Sequence, residues 1–151
     1  MVDISSLSSL AKGISEDIGV VVDATWTPPT ITRPLNHGAD VTLHSTTKFM
    51  GGHSDVLGGI VTSCGSTAPG RDIGQGAKDA QGAIGGVCAP FDAWLILRGL
   101  RSMDVRVERM CDNAEAVAKF LANDDRVART HYPGLEGHPN HAVAKKQVRA
   151  L

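Results

Sequence analysis

The chain lacks the charge excess that a nucleic acid or an anionic membrane surface would select. Its 15 lysines and arginines stand against 16 acidic residues, for a formal net charge of -1. It also lacks a long apolar run: the best candidate, Ala83 to Leu100, is broken by Pro90 and Asp92 and does not read as a bilayer span. There is no paired-cysteine motif. Cys64, Cys88 and Cys111 lie far apart and are odd in number, which argues against a disulfide framework or a zinc site and fits a reducing cytoplasm. The opening MVDISSLSSLAKG has neither the basic start nor the apolar centre of a secretory signal. A cytoplasmic location is therefore expected. No internal repeat or low-complexity linker divides the 151 residues, a length that suits one domain.

The elements that are present alternate in type. Ile4 to Asp17 carries apolar residues at spacings of three and four, with Asp3, Ser5 and Ser6 available as caps, and predicts a helix. GVVVDAT, Gly19 to Thr25, is a β-branched run of the kind buried on both faces of a parallel sheet. The prolines of WTPPTITRPL make Trp26 to Leu35 a loop. Asp40 to Thr46 and Gly58 to Cys64 read as two further strands. Gly70 to Val87 does not follow a strand in the GxGxxG register, so it reads as a loop leading into a small-residue helix. From Pro90 a helical stripe runs through Trp94, Leu97, Leu100, Met103, Val107, Met110, Ala114, Val117 and Leu121, with Gly99 as a point of interruption. Arg106 and Arg109 are assigned to its solvated side. Arg126 to Pro139 predicts a short strand and a turn, and Asn140 to Ala150 a last helix. The order favours an α/β architecture. Two or three strands of parallel character leave long unpaired edges, which suggests a piece of something larger.

The chemistry concentrates in HSTTKFMGGHSD, His44 to Asp55. A strand end followed by a glycine-rich turn with a solvated lysine is the plainest reading. Ser45-Thr46-Thr47-Lys48 also satisfies the S-x-x-K motif of serine acyl-transfer enzymes. It falls at a strand end, however, Ser54-Asp55 is followed by Val56, and no K-T-G element exists. A third reading is a lysine that binds pyridoxal phosphate. Such an amine must shed its proton to form a Schiff base. The cofactor phosphate needs hydroxyl and N–H donors, which the neighbouring hydroxyls could supply. The pyridine nitrogen needs a carboxylate to hold its proton. A buried aspartate at the end of a neighbouring strand would serve, and Asp23 ends the first strand.

VVVDATWTPPTITRPLNHGADVTLHSTTKFMGGHSDVLGG, Val20 to Gly59, closely resembles the pyridoxal-phosphate-dependent enzymes of cysteine and methionine metabolism, the transsulfuration group. Asp40, Val41, Ser45, Thr46, Thr47, Lys48, Phe49, Met50, Gly52 and His53 fill that family's lysine signature without a mismatch. The likeness extends to Pro90–Met110 and Tyr132–Gln147. The resemblance implies a fold-type I transferase, with a mostly parallel sheet flanked by helices. Residues 1–100 would be the C-terminal part of the large cofactor domain. Residues 101–151 would be a linking helix and the start of the small α+β domain. It implies that Lys48 bonds the cofactor, that Asp23 pairs with the pyridine nitrogen and that Ser45 and Thr47 hold the phosphate. Thr25 would lie near the cofactor ring. His53 would serve the glycine-rich turn, and His131, His138 and His141 a structural turn rather than a metal.

The implied activity is elimination or replacement at the β or γ carbon of a sulfur-containing or acyl-activated amino acid. Full-length members are expected to be homodimers or homotetramers and to be more than twice as long. They carry a ring-stacking tyrosine, a Tyr/Arg pair lent across the dimer and an arginine for the substrate carboxylate, on segments this chain does not contain. A fragment holding the Lys48 half of the site is therefore expected. The alternative is a truncated paralogue that binds cofactor or a partner without turnover.

Overall fold

The computed structural model describes residues 1–149. Helix α1, Ile4–Ile14, starts where Asp3 accepts a hydrogen bond from the Ser6 N–H, and Ile4 and Ser8 face inward. Strand β1, Val21–Asp23, follows, then a short 3-10 helix at Pro34–His37. Strands β2, Val41–Ser45, and β3, Gly59–Ser63, complete a three-stranded sheet in the order β1-β2-β3. Four helices come after: α2, Ala68–Ile84; α3, Pro90–Leu100; α4, Met103–Ala122; and α5, His141–Gln147.

The sheet is mixed. β1 and β2 run parallel, with Asp23 level with Leu43, whereas β3 returns antiparallel with Gly59 opposite Ser45. The β1–β2 pair carries the parallel character expected of the whole fold, and β3 is the strand of this part that runs against it. The β2–β3 connection contains no crossover helix, and without one the chain re-enters the sheet in the opposite sense. β1 differs as well: the run predicted to be buried on both faces leaves Val21 and Asp23 exposed. It is an edge strand, paired with β2 on one side only.

Buried Asp40 fastens these elements together. Its Oδ2 accepts the Val20 N–H at 2.8 Å and pairs with Lys12 of α1 at 3.2 Å. Its backbone N–H donates to Val20 and its carbonyl accepts from Cys64 at 2.7 Å. Burial raises the proton affinity of this carboxyl. The Val20 N–H, the Thr67 hydroxyl and Lys12 together outweigh that effect and hold its pKa below the ordinary value. Two small apolar clusters form the core. Ile4, Val20 and Ala39 form one, and Ile31, Met50, Met103 and Val107 the other.

The helical region departs from expectation in three places. Gly70–Val87, read as loop then helix, is helical from Ala68 because Thr67 caps the first turn by accepting the Gly70 N–H. The long helix divides after Leu100, next to the interruption expected at Gly99, but much of its apolar stripe stays exposed, including Trp94, Leu97 and Val117, while Met103 and Val107 reach the core. Arg126–Pro139 forms turns instead of a strand, with successive backbone bonds at Val127, Leu135 and His138. In α5, Gln147 is buried and ties back to the start of the chain, accepting from Ile4 N–H and donating to the Val2 carbonyl. Ala150, predicted as the end of that helix, lies outside the described residues. Among the described residues, no helix is long and apolar enough to cross a membrane.

Candidate active site

β1 and β2 end side by side, so Asp23, Thr25 and Ser45 gather at the C-terminal edge of the parallel pair, where open α/β sheets form their ligand crevice. Thr25 is the link. Its hydroxyl oxygen accepts the Ser45 N–H at 2.8 Å, and its own N–H donates to Asp23 Oδ1 at 3.0 Å. The Thr25 hydroxyl, its N–H and the nearby His44 hold the Asp23 carboxyl below the usual carboxylate range, against a small opposing effect of burial. Asp23 is thus kept anionic. It is exposed where a buried carboxylate was expected, because nothing in the described chain covers that side of β1.

Beyond Ser45 the chain turns sharply. Thr46 N–H donates to the Gly58 carbonyl at 2.9 Å, and Gly58 N–H donates to Thr47 Oγ1 at 3.1 Å. These bonds close the neck of the loop between β2 and β3. Inside it, Gly51 N–H reaches Thr46 and Gly52 N–H reaches Lys48 at 2.8 Å. His53 Nδ1 lies 2.7 Å from the Gly51 carbonyl, consistent with a part in the turn itself. Gly52 has φ +74, a left-handed conformation suited to glycine. Lys48 is exposed on this loop and lines a cleft of about 710 Å³ with Thr47, Asp92, Arg106 and Trp26. Asp23 lines a separate, smaller hollow of about 260 Å³. The strand ends therefore collect the carboxylate and the hydroxyls, while the lysine faces a larger space next to them.

Arg106 was assigned to the solvated side of a helix. It is instead half-buried under the Lys48 loop. Its Nη2 donates to the Phe49 carbonyl at 3.0 Å and to the Gly99 carbonyl at 2.9 Å, and its Nε donates to Ser102 Oγ at 3.0 Å. The signal for this lay in the glycines. A Cβ on Gly99 would come within 2.5 Å of the Met50 carbonyl oxygen, and one on Gly52 would strike the guanidinium. The histidines near the end of the chain are engaged locally: His138 Nδ1 accepts the Asn140 N–H at 3.1 Å, and His141 Nδ1 lies 2.9 Å from the Pro133 carbonyl.

Residues 1–151 match the family described as Cys/Met metabolism PLP-dependent enzyme. Cystathionine beta-lyase of Coxiella burnetii is 40% identical over 99% of this chain and 37% of its own length. Cystathionine gamma-synthase of Mycobacterium leprae is 43% identical over 99% of this chain and 37% of its own length. The solved structure of a methionine gamma lyase from Micromonospora echinospora superposes with a TM-score of 0.90 at 37% identity, covering 99% of this chain and 39% of that one. The chain belongs to the Cys/Met metabolism family of pyridoxal-phosphate-dependent enzymes. It spans somewhat over a third of the length of these relatives. The donor set fits the family's cofactor: an amine facing a cleft, a carboxylate held anionic and hydroxyls at the ends of adjacent strands.

Proposed function

We propose that these residues form the lysine-bearing part of a transsulfuration active site, acting on a sulfur-containing or acyl-activated amino acid by β/γ-elimination or γ-replacement. The observation that carries the reading is the convergence of Asp23, Thr25 and Ser45 at one sheet edge, with Lys48 on the loop that follows. Lys48 Nζ would be the amine that holds the cofactor and, when free, the base placed to take the proton from the substrate α carbon. Asp23 would hold a proton on the pyridine nitrogen, a task its anionic state suits. Ser45 and Thr47 offer hydroxyls to the phosphate. Thr25 fixes the Ser45 backbone and supports the Asp23 carboxylate, so its contribution is orientation. The bound cofactor supplies the electron sink that makes the α proton removable.

Residues 1–100 are assigned to the large cofactor domain and residues 101–151 to the linking helix and the start of the small domain, with the α3–α4 break supporting the boundary. A cytoplasmic location, and a homodimer or homotetramer for the full-length enzyme, complete the reading. The relatives' names cover beta-lyase, gamma-synthase and methionine gamma-lyase at similar identity, which supports the substrate class as a whole over any one member of it. The test is incubation with pyridoxal phosphate, borohydride reduction and mass mapping. The label is expected on Lys48 and lost in Lys48→Ala, and even labelling across the lysines would overturn the assignment. Exposure of both Lys48 and Asp23 favours a second reading, cofactor binding without turnover. Cystathionine cleavage by the 151-residue chain would exclude it.

A further inference from the structure

We propose that Arg106 is a positioning residue for Lys48, holding the turn that presents the lysine to its cleft. Two of its three side-chain partners, Gly99 and Ser102, belong to the α3–α4 junction, and those bonds alone would describe a structural staple. The third partner lies 57 positions away in sequence: Nη2 donates at 3.0 Å to the carbonyl of Phe49, the residue directly after Lys48. The guanidinium also lies across Gly52, whose N–H donates to the Lys48 carbonyl at 2.8 Å. Lys48 is thereby fixed from both sides, through the carbonyl that follows it and through the residue that caps its own carbonyl.

One planar group does both jobs. Its Nη2 bridges the two carbonyls of Phe49 and Gly99, its Nε serves Ser102, and its flat face occupies the space that the missing Gly52 side chain leaves open. A lysine would bring a single point donor and could not reproduce that fork. Arg106 also lines the Lys48 cleft, so it carries a fixed positive charge at the wall of the space the amine faces. No bond of Arg106 reaches Asp23 or Ser45, which places its influence on the lysine arm alone.

The test uses the full chain with Arg106→Met and Arg106→Lys. The first readout is amide hydrogen exchange without cofactor. Gly51 and Gly52, which bond to Thr46 and Lys48, are expected to exchange at least about tenfold faster, while Val41 and Thr42 in β2 keep their protection. The second readout is borohydride-fixed pyridoxal phosphate on Lys48, expected to fall about tenfold in Arg106→Met and less in Arg106→Lys. Unchanged exchange at Gly51 and Gly52 in the folded variants overturns the proposal. An equal loss of protection throughout the sheet also overturns it, because Arg106 would then support the whole fold. The labelling arm rests on the cofactor reading above. If the unsubstituted chain does not label Lys48, that reading fails, and the exchange arm still decides the role of Arg106.

Discussion

Gly99→Ala sets two effects of opposite sign against each other at one atom. In an exposed helix interior, alanine is favoured over glycine by about 1 kcal/mol, so propensity alone predicts a more stable protein. Here the added Cβ would fall 2.5 Å from the Met50 carbonyl oxygen, and nearer still to that of Gly51. Both neighbours are backbone atoms of the Lys48 loop and cannot rotate away. Relief requires α3 to withdraw by something like 1 Å, at an overpacking cost of about 1–3 kcal/mol. Withdrawal also strains the Arg106 bonds that span Gly99 and Phe49, at 2.9 and 3.0 Å. Hydrogen bonds from a charged donor are worth about 1.5–3 kcal/mol each, and part of one is forfeited. The balance is a net destabilisation of about 1–4 kcal/mol, after the helix gain is subtracted. Urea unfolding followed by circular dichroism should show the midpoint falling by roughly 0.5–2 M. A midpoint equal to or above that of the unsubstituted chain would refute the close approach of α3 to the loop.

Three further outcomes follow from the same geometry. Asp40 has a lowered pKa in the folded chain, so its contribution is present above the ordinary aspartate range and is lost as pH falls through the lowered value. Urea midpoints measured from about pH 6 down to about pH 3 should therefore decline, and less steeply in Asp40→Asn. Thr25→Val and Thr46→Val should differ in sign or size. The first strands the Ser45 N–H at a cost of about 1–3 kcal/mol, whereas the second removes a buried hydroxyl that has no partner and should be neutral or slightly stabilising. Calorimetry on the pair checks this, and equal losses would contradict it. Asp23→Asn should leave the unfolding free energy within about 0.5 kcal/mol of the parent, because the side chain is exposed, yet weaken retention of pyridoxal phosphate in an equilibrium dialysis. Undiminished retention would remove Asp23 from the site.

The strands were legible because their signals are local. The β-branched run ending at Asp23 and the alternation from Val41 to Ser45 fall within a residue or two of the observed limits. Lys48 stood out for the same reason, since its hydroxyl neighbours and following glycines are adjacent in sequence. Strand direction was not legible, because it depends on what a loop does between two strands, not on either strand's composition. Arg106 was missed for a related reason. Its charge assigned it to solvent although it stands three residues after Met103 and four before Met110, at the border of the apolar stripe, and the close approach of Gly52 and Gly99 is what draws it inward. The small-residue helix after Gly70 was read, but its start at Ala68 was hidden by its glycines, whose low propensity was outweighed by the Thr67 cap and by packing on β3. The exposure of Asp23 was unreadable from a segment whose composition describes a covered strand.

The junction at Asp40 has a consequence for how the chain comes apart. One buried carboxylate and its backbone hold α1, the start of β1, β2 and the end of β3 at a single point. None of those elements can leave without stranding a polar group of another. The front of the molecule should therefore melt as one cooperative unit, while the exposed outer turns of α4 can fray on their own. Lys48 sits on a loop whose two ends are β2 and β3. Once that junction opens, no form that keeps the lysine correctly placed is left to this chain, whereas fraying of α4 leaves the lysine loop intact.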